Sequence, residues 1–186
     1  MSTAALPRDE IVLRILAAFR QYGYEGASLG RLSSATGLGR SSLYHHFPKG
    51  KEDMANAAMS AVSAWFGENV LATLAGEEPA ARRLERFAAK LAEFYRQGES
   101  SCLTDVFTIG EAGAVFQQRI GERMKLLIGA LAKTAQGAGV APGEALRRAE
   151  DAVVSIQGSL IVARALGDTA PFLRAMQQLP RRLLGE

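Results

Sequence analysis

Apolar side chains recur at three- and four-residue steps along most of this chain, and this spacing restricts its fold more than any other feature. In the first such stretch, Ile11, Ile15 and Phe19 share one face of a helix. Comparable stretches cover 54–65, 84–95, 116–131 and 153–164. The sequence shows no strand-like alternation bounded by hairpin signals. It therefore predicts an all-α fold of about nine helices joined by short connections.

Glycine and proline set the expected limits of two helices. Gly23 is expected to end the first helix, because glycine accepts the left-handed conformation of a helix C-cap. Pro180 lies late in the last apolar pattern. Because proline lacks a backbone N–H, we expect it to kink or end that helix near Leu179.

Composition excludes several classes of protein. The chain has 186 residues, of which 48% are hydrophobic and 22% charged, as in ordinary globular proteins and unlike disordered or fibrous ones. The single cysteine, Cys102, excludes an intramolecular disulfide framework and a Cys-rich zinc site. No apolar run approaches the length of a membrane span, and no signal peptide is visible. We therefore expect a soluble, cytoplasmic chain without a membrane partner.

The segment 28–47 has the pattern of a helix-turn-helix. Ser28 is a natural N-cap for a short helix that ends at Gly37. A tight glycine turn leads to a second short helix, in which Leu43 and Phe47 stand four residues apart and face inward. Two short helices joined by a tight glycine turn indicate a helix-turn-helix.

The opposite side of the second helix carries side chains that suit nucleic acid. These are donors with little apolar bulk: Arg40, Ser41, Tyr44 and His45. Lys51 follows at the start of the next helix, where its ammonium could hold a phosphate. No acid occurs from Gly26 to Lys51, although the net charge of the whole chain is only +3.

At this point the chain resembles the TetR family of bacterial transcription regulators. The resemblance rests on Leu32-x-x-Ala35-x-Gly37-Leu38-x-x-x-Ser42-Leu43-Tyr44-x-His46-Phe47, followed by Lys51. It covers about residues 8–55. The connection from Phe47 to Lys51 is one residue longer than usual, which is similar to the LmrA/YxaF-like branch.

The resemblance implies roles for named residues. Tyr44 and Lys51 would contact phosphates, and base-reading or groove-lining roles would fall to Arg40, Ser41, Ser42 and His45. Residues 1–50 would form the helix-turn-helix DNA-binding domain, and residues 51–186 a helical effector-binding and dimerisation domain. Residues 1–7 carry no charged side chain, so the minor-groove arm of many family members is not expected.

The second domain offers candidates for an effector pocket. They are bulky or polar side chains within the helical patterns: Trp65, Phe94, Phe107, Phe116, Met124 and Gln157. Most residues at such spacing belong to a core, and the sequence does not say which of these would contact a ligand. The last two helices present smooth faces, around Gly158 and around Phe172. These faces could pack within one subunit or, as the resemblance implies, form a four-helix dimer contact.

The resulting prediction is a homodimeric transcription regulator, most simply a repressor that a small apolar effector releases from a palindromic double-stranded DNA operator. The alternatives are a DNA-binding regulator without a ligand and, less favoured, a helical-bundle enzyme. No Cys/His pair and no Glu-x-x-His motif lies outside residues 28–51, so neither an enzyme nor a cofactor is expected. His45 and His46 are adjacent and point about 100° apart on a helix, which disfavours a shared metal ion.

Overall fold

The computed structural model describes residues 6–185, so part of the uncharged stretch 1–7 lies outside the described residues. The described range is helical and contains no strand, which confirms the predicted all-α fold. Its α-helices are α1 (Arg8–Gly26), α2 (Leu29–Thr36), α3 (Arg40–His46), α4 (Lys51–Asn69), α5 (Ala80–Phe94), α6 (Leu103–Val106), α7 (Gly110–Gln136), α8 (Pro142–Leu166) and α9 (Ala170–Leu184). Two short 3-10 helices cover Leu71–Leu74 and Arg96–Gly98. Within the same residues, no helix is both long enough and apolar enough to cross a membrane.

The N-terminal part is built on the pair α1 and α4. α1 buries Ile11, Ile15 and Phe19, the face that the spacing predicts, and α4 buries Met54 and Ala58. All five side chains belong to one hydrophobic cluster. α2 packs on α1, and α3 packs on α2. The two short helices are therefore stabilised by packing on the apolar surface of α1 and α4, because helices of this length are not stable alone.

Gly23 interrupts α1 without finally ending it. Its φ of 69° and ψ of 177° lie outside the helical region, and helical structure continues to Gly26. The break that the sequence predicts at Gly23 is present. It is followed by Tyr24, whose side chain turns into the hydrophobic cluster of the N-terminal part.

Two hydrophobic clusters form the interior, and α7 contributes to both. The first joins α1–α4 to Leu103, Phe107, Phe116 and Ile120 from α6 and the first half of α7. The second joins α5, the second half of α7, α8 and α9. The core under the helix-turn-helix is therefore completed by residues far beyond residue 50.

The last helix runs through Pro180 and continues to Leu184, so it does not end near Leu179; a kink at Pro180, the other predicted outcome, stays a prediction. Proline removes one backbone hydrogen bond there. However, Leu179 and Leu183 lie four residues apart on the same side of α9, and both are buried in the C-terminal cluster. Burial on both sides of the proline thus outweighs the lost bond.

Candidate functional site

Side-chain hydrogen bonds between near neighbours set the ends of α2. The hydroxyl of Ser28 accepts a hydrogen bond from the backbone N–H of Arg31 at 3.3 Å, as expected of an N-cap. Gly37 ends the helix in the left-handed conformation, with φ of 73°. The hydroxyl of Ser33 donates to the carbonyl of Leu38 at 2.6 Å. The turn between α2 and α3 is therefore fixed by contacts local in the sequence.

The inner side of α3 is apolar and fully buried. Leu43 and Phe47 are 0% and 1% exposed, and they pack in the N-terminal cluster with Leu32 of α2. The guanidinium of Arg8 lies over the ring of Phe47, with 5.3 Å from Cζ to the ring centroid. This anchoring fixes the rotation of α3 about its axis, and so decides which of its side chains face outward.

The outer side of α3 is polar and open to solvent. It presents five of the predicted DNA-binding residues, all exposed: Arg40, Ser41, Ser42, Tyr44 and His45. These side chains offer a guanidinium, two aliphatic hydroxyls, a phenol and an imidazole along a helix of seven residues. Such donors on a protruding helix are the groups that contact phosphates and base edges in a major groove.

Gly50 positions the ring of Tyr44. Its φ is 68°, and a Cβ at this residue would lie 3.2 Å from Cε1 of Tyr44. The connection is closed further by the carboxylate of Asp53, which accepts a hydrogen bond from the backbone N–H of Lys49 at 2.7 Å. The phenol of Tyr44 thus rests on the backbone between α3 and α4, with about half of the residue exposed.

Lys51, the sixth predicted residue, is oriented differently. Its Nζ lies 4.4 Å from the centroid of the Tyr24 ring, a cation–π contact at the first residue of α4. The residue is partly buried, whereas the five residues of α3 are exposed. Its positive charge also helps to hold the pKa of Glu25 below the ordinary value, after hydrogen bonds from backbone N–H groups, the largest cause.

The two histidines lie at the end of α3, with 5.7 Å between their ring centroids. His45 is exposed and His46 is half-buried. In the part of the chain that the structure describes, no group of three or more His, Cys, Asp or Glu side chains could hold a metal ion.

A cavity of about 130 Å³ lies in the C-terminal part, between α4, α5, α7 and α8. Its apolar wall includes Val62, Phe66, Phe94, Met124 and Leu127. Its polar wall includes Ser63, Tyr95, Cys102, Thr104, Arg123 and Gln157. α4 therefore starts beside the helix-turn-helix and reaches this cavity along its own length.

The predicted pocket residues divide into three groups. Phe94, Met124 and Gln157 line the cavity. Trp65 stacks on Phe94, with 5.3 Å between ring centroids, but it faces a neighbouring open groove between α1 and α4. Phe107 and Phe116 do not line the cavity. They stack on each other at 5.3 Å and pack edge-on against Tyr24, inside the N-terminal cluster.

Buried polar groups give the cavity wall its electrostatic character. The phenol of Tyr95 donates a hydrogen bond to Sγ of Cys102 at 3.2 Å, and burial raises the pKa of Tyr95 well above its ordinary value. Burial lowers the pKa of Arg123, and the like charge of Arg119 lowers it further. Cys102 is a buried thiol, as the sequence favours.

Comparison with known proteins identifies the helix-turn-helix. Residues 11–58 match the family model described as bacterial regulatory proteins, tetR family. The chain thus carries a helix-turn-helix segment of the TetR type. Its predicted likeness to LmrA is also found: the HTH-type transcriptional regulator LmrA of Bacillus subtilis (strain 168) is 25% identical over 99 residues. That match spans 53% of this chain and 50% of LmrA, so about half of the curated relative's length is covered.

Solved TetR-family structures share the fold of the whole chain. A TetR transcriptional regulator from Legionella pneumophila is 20% identical and has a TM-score of 0.81. The alignment covers 97% of this chain and 98% of that chain. A cysteine mutant of the TetR family regulator CifR, complexed with 26-bp double-strand operator DNA, is 20% identical with a TM-score of 0.76. Here 96% of this chain covers 98% of that chain. The TetR fold thus extends far beyond the residues of the sequence motif.

In the last two helices, the buried and exposed residues differ from the smooth faces that the sequence suggests. Ile156 and Leu160 of α8, and Phe172 and Met176 of α9, are buried within the subunit. The exposed apolar residues of α8 are others: Val154, Ile161, Val162 and Leu166. Gly158 lies among them, and a Cβ there would meet open space. The exposed side of α9 is polar, with Arg174, Gln178 and Arg182.

Several residues that line the cavity are absent from the pocket residues that the sequence predicts, above all Arg123. A signal for it exists, because Ile120, Arg123 and Leu127 are spaced three and four residues apart and so lie on one helical face. A charged residue on an otherwise apolar face marks a possible site. Thr104 gives no comparable signal, because it reaches the cavity from the short helix α6, which has too few residues to show a period.

Proposed function

We propose that this chain is a DNA-binding transcriptional repressor that acts as a homodimer and leaves a palindromic operator when a small molecule occupies the cavity of the C-terminal part. The observation that carries the proposal is the outer face of α3. Five polar side chains stand exposed there on a helix whose opposite side is completely buried. A surface of this kind fits a major groove and has no evident role in the stability of the fold.

The proposed contacts follow from the chemistry and position of each residue. Arg40 can donate two hydrogen bonds to one guanine, and the hydroxyls of Ser41 and Ser42 and the imidazole of His45 can reach base edges or the groove wall. Tyr44 is assigned to a phosphate, because its ring rests on the α3–α4 connection and about half of the residue is open to solvent.

Lys51 is assigned to a phosphate beside α3. It would have to leave the ring of Tyr24 for this contact. The exchange is feasible, because a cation–π contact near the surface contributes about 0.5–1 kcal/mol, whereas a phosphate offers a full opposite charge. Its place at the first residue of α4 adds backbone N–H groups that favour an anion.

Two such modules are needed for specificity, because one short helix contacts too few base pairs. We assign the dimer contact to the last two helices, with Val154, Gly158 and Ile161 of α8 at its centre. The CifR structure is a complex with operator DNA. This supports the same mode of action for a chain with the same fold.

Release by a ligand would be a shift between two conformations. The ligand must bind the conformation with wrongly spaced α3 helices better than the DNA-bound one. α4 is the natural connection, because it begins at Lys51 and lines the cavity with Val62, Ser63 and Phe66. The presence of a cavity favours this scheme over a regulator without a ligand.

The test is binding of the full chain to the DNA that flanks its own gene, measured by fluorescence anisotropy over a series of salt concentrations. Tyr44→Phe should weaken binding to all sequences alike, whereas Arg40→Ala should also relax the preference at particular bases. Lys125→Ala, at an exposed position of α7 far from α3, is the control for loss of one charge. Equal affinity of the wild type for the flanking DNA and for unrelated DNA would contradict the proposal.

A further inference from the structure

We propose that the cavity between α4, α5, α7 and α8 takes a small organic anion: a monocarboxylate with an apolar body about the size of one benzene ring. This inference rests on the proposed function, since it names the class of ligand for the cavity assigned there to the effector. It differs from the small apolar effector that the sequence suggests. Its basis is a cation in the cavity wall that forms no ion pair with any carboxylate among residues 6–185.

The cation is the guanidinium of Arg123 on α7. It is partly buried, lines the cavity, and donates a hydrogen bond to the backbone carbonyl of Met59. Among residues 6–185, no carboxylate forms an ion pair with it. Among charged groups, another cation, Arg119, has the largest effect on the pKa of Arg123. The guanidinium of Arg119 itself donates hydrogen bonds to Asn56 and Ser60 of α4. Burying a cation beside a second cation is costly unless an anion joins them.

The other polar groups of the wall are mostly occupied by one another. The hydroxyl of Ser63 donates to the carbonyl of Met59 at 2.9 Å. The phenol of Tyr95 donates to Cys102 Sγ, which is also 2.7 Å from the hydroxyl of Thr104. Arg123 differs from them: it lines the same cavity, and among residues 6–185 only its Nη2 has a hydrogen-bond partner, the carbonyl of Met59.

Gln157 supplies a second unsatisfied group from α8. Its Oε1 is buried and has no hydrogen-bond partner among the described residues. The side-chain amide can turn to present either its oxygen or its nitrogen. As a donor it would add to Arg123 in binding one carboxylate, and as an acceptor it would bind a hydroxyl or N–H on the ligand body. Among the described residues, this amide oxygen has no partner and Arg123 has no ion pair, and both residues line one cavity, where the polar head of a ligand could satisfy them.

The rest of the cavity fixes the size and character of the ligand body. The volume is about 130 Å³, and apolar side chains such as Phe66, Phe94 and Leu127 line it. An apolar cavity of about 150 Å³ holds benzene. One six-membered ring with a carboxylate aimed at Arg123 therefore matches the space, whereas a fused-ring or long-chain ligand would need the helices to move apart.

The experiment is isothermal titration calorimetry of the full chain with three probes. Benzoate combines ring and charge, benzamide keeps the shape without the charge, and acetate keeps the charge without the ring. We expect benzoate to bind at least about tenfold more tightly than either of the others, because a charge-assisted hydrogen bond and a buried ring each contribute a factor of this order. Equal binding of benzamide, equal binding of acetate, or no binding of benzoate would overturn the proposal.

Variants assign the effect to the named residues. Arg123→Met keeps a long side chain without the charge and should reduce benzoate affinity about tenfold or more while leaving benzamide unchanged. Arg123→Lys should restore part of the affinity, and Gln157→Leu provides an independent loss of one polar contact. Lys125→Met removes the same charge from an exposed position two residues away and should bind as the wild type does. Unchanged benzoate affinity in a folded Arg123→Met protein would show that Arg123 does not bind the anion.

These measurements are separable from the proposed function. Calorimetry reports the class of ligand whether or not DNA is bound, and the anisotropy assay reports DNA binding without ligand. If the chain bound benzoate but not DNA, the result would support the ligand class and contradict the proposed repressor function. If the chain bound DNA but none of the three probes, the result would support the repressor function and contradict the ligand class.

Discussion

The ammonium of Lys51 lies over the ring of Tyr24, with 4.4 Å between Nζ and the ring centroid. The same ring packs edge-on against Phe107 and Phe116, at 5.6 Å from each centroid. A residue assigned to DNA is thus in contact with an aromatic cluster that α6 and α7 complete. Because Leu103 and Thr104 of α6 also line the cavity, this cluster is, beside α4, a second packed connection between the proposed ligand site and the proposed DNA-binding face.

Lys51→Ala is expected to weaken DNA binding uniformly across sequences. Loss of one phosphate contact should reduce the slope of log K against log salt by about 1. The stability of the fold should change by less than about 1 kcal/mol, since only a cation–π contact near the surface is lost. Anisotropy over a salt series and a thermal melt measure the two effects. An unchanged salt slope would remove Lys51 from the set of phosphate contacts.

Gly50→Ala is expected to destabilise the protein by about 1–2 kcal/mol and to weaken DNA binding. The residue has a φ of 68°, which side chains other than glycine rarely adopt, and its Cβ would press on the ring of Tyr44. Gly129→Ala is the matched control. Gly129 lies within α7, a Cβ there would meet open space, and alanine favours a helix. Urea denaturation of both variants tests the contrast, which fails if Gly50→Ala is as stable as the wild type.

Phe107→Ala is expected to cost about 3–5 kcal/mol of unfolding free energy, the range for removing a buried aromatic ring. The side chain is 0% exposed and joins α6 to α1 through Phe19 and Tyr24. Ile109→Ala, two residues away and 68% exposed, should change stability by less than about 0.5 kcal/mol. Similar losses of unfolding free energy in the two variants would show that the aromatic cluster does not stabilise the packing between α6 and α1.

Asp105→Asn is expected to stabilise the protein near neutral pH and to lose this advantage in acid. Burial raises the pKa of Asp105, an effect that the nearby Arg164 opposes at 3.7 Å. Folding therefore favours the protonated carboxyl of Asp105. The stability that this carboxyl contributes is fully present below its pKa in the unfolded chain, and it is lost as the pH rises through its pKa in the folded protein. Thermal melts over a pH series measure the difference between variant and wild type. Asp151→Asn, at an exposed position of α8, is the control, and a gain for Asp105→Asn that grows toward acid would contradict the assignment.

Val154→Asp and Ile161→Asp are expected to weaken the proposed dimer by roughly tenfold or more each, because each places a charge at the centre of an apolar contact. Both residues are more than half exposed on α8, so the fold of one subunit should be retained. Sedimentation equilibrium measures the association, with Ile109→Asp, at an exposed position outside α8, as the control. Dimers of wild-type strength in both variants would place the interface elsewhere.

Much of the proposed DNA-binding face could be predicted because its determinants are local. Ser28 caps α2 through a backbone N–H three residues away, and Gly37 ends the helix through its own φ. Leu43 and Phe47 face inward because they are four residues apart on one short helix. Each of these features depends on neighbours in the sequence, so a single sequence was enough to place them.

Tertiary structure decided what lies around the cavity. Helical spacing predicts that Phe94 and Phe116 are buried, and both are mostly or fully so, as is Phe107, but it does not say against which partner. Phe94 borders the cavity, whereas the other two pack on Tyr24, which is distant from them in sequence. In the same way, the sequence places an apolar face on α8, while the rotation of that helix between α7 and α9 leaves Val154 exposed and Ile156 buried.

The sequence by itself therefore determined the helices, the helix-turn-helix and its outward side chains, since these follow from interactions within one or two helical turns. The identity of the cavity wall, including the unpaired Arg123, was decided only when α4, α5, α7 and α8 came together. The physical reason is that the period of a helix specifies which residues share a face. The element that covers this face is selected by packing between residues that are far apart along the chain.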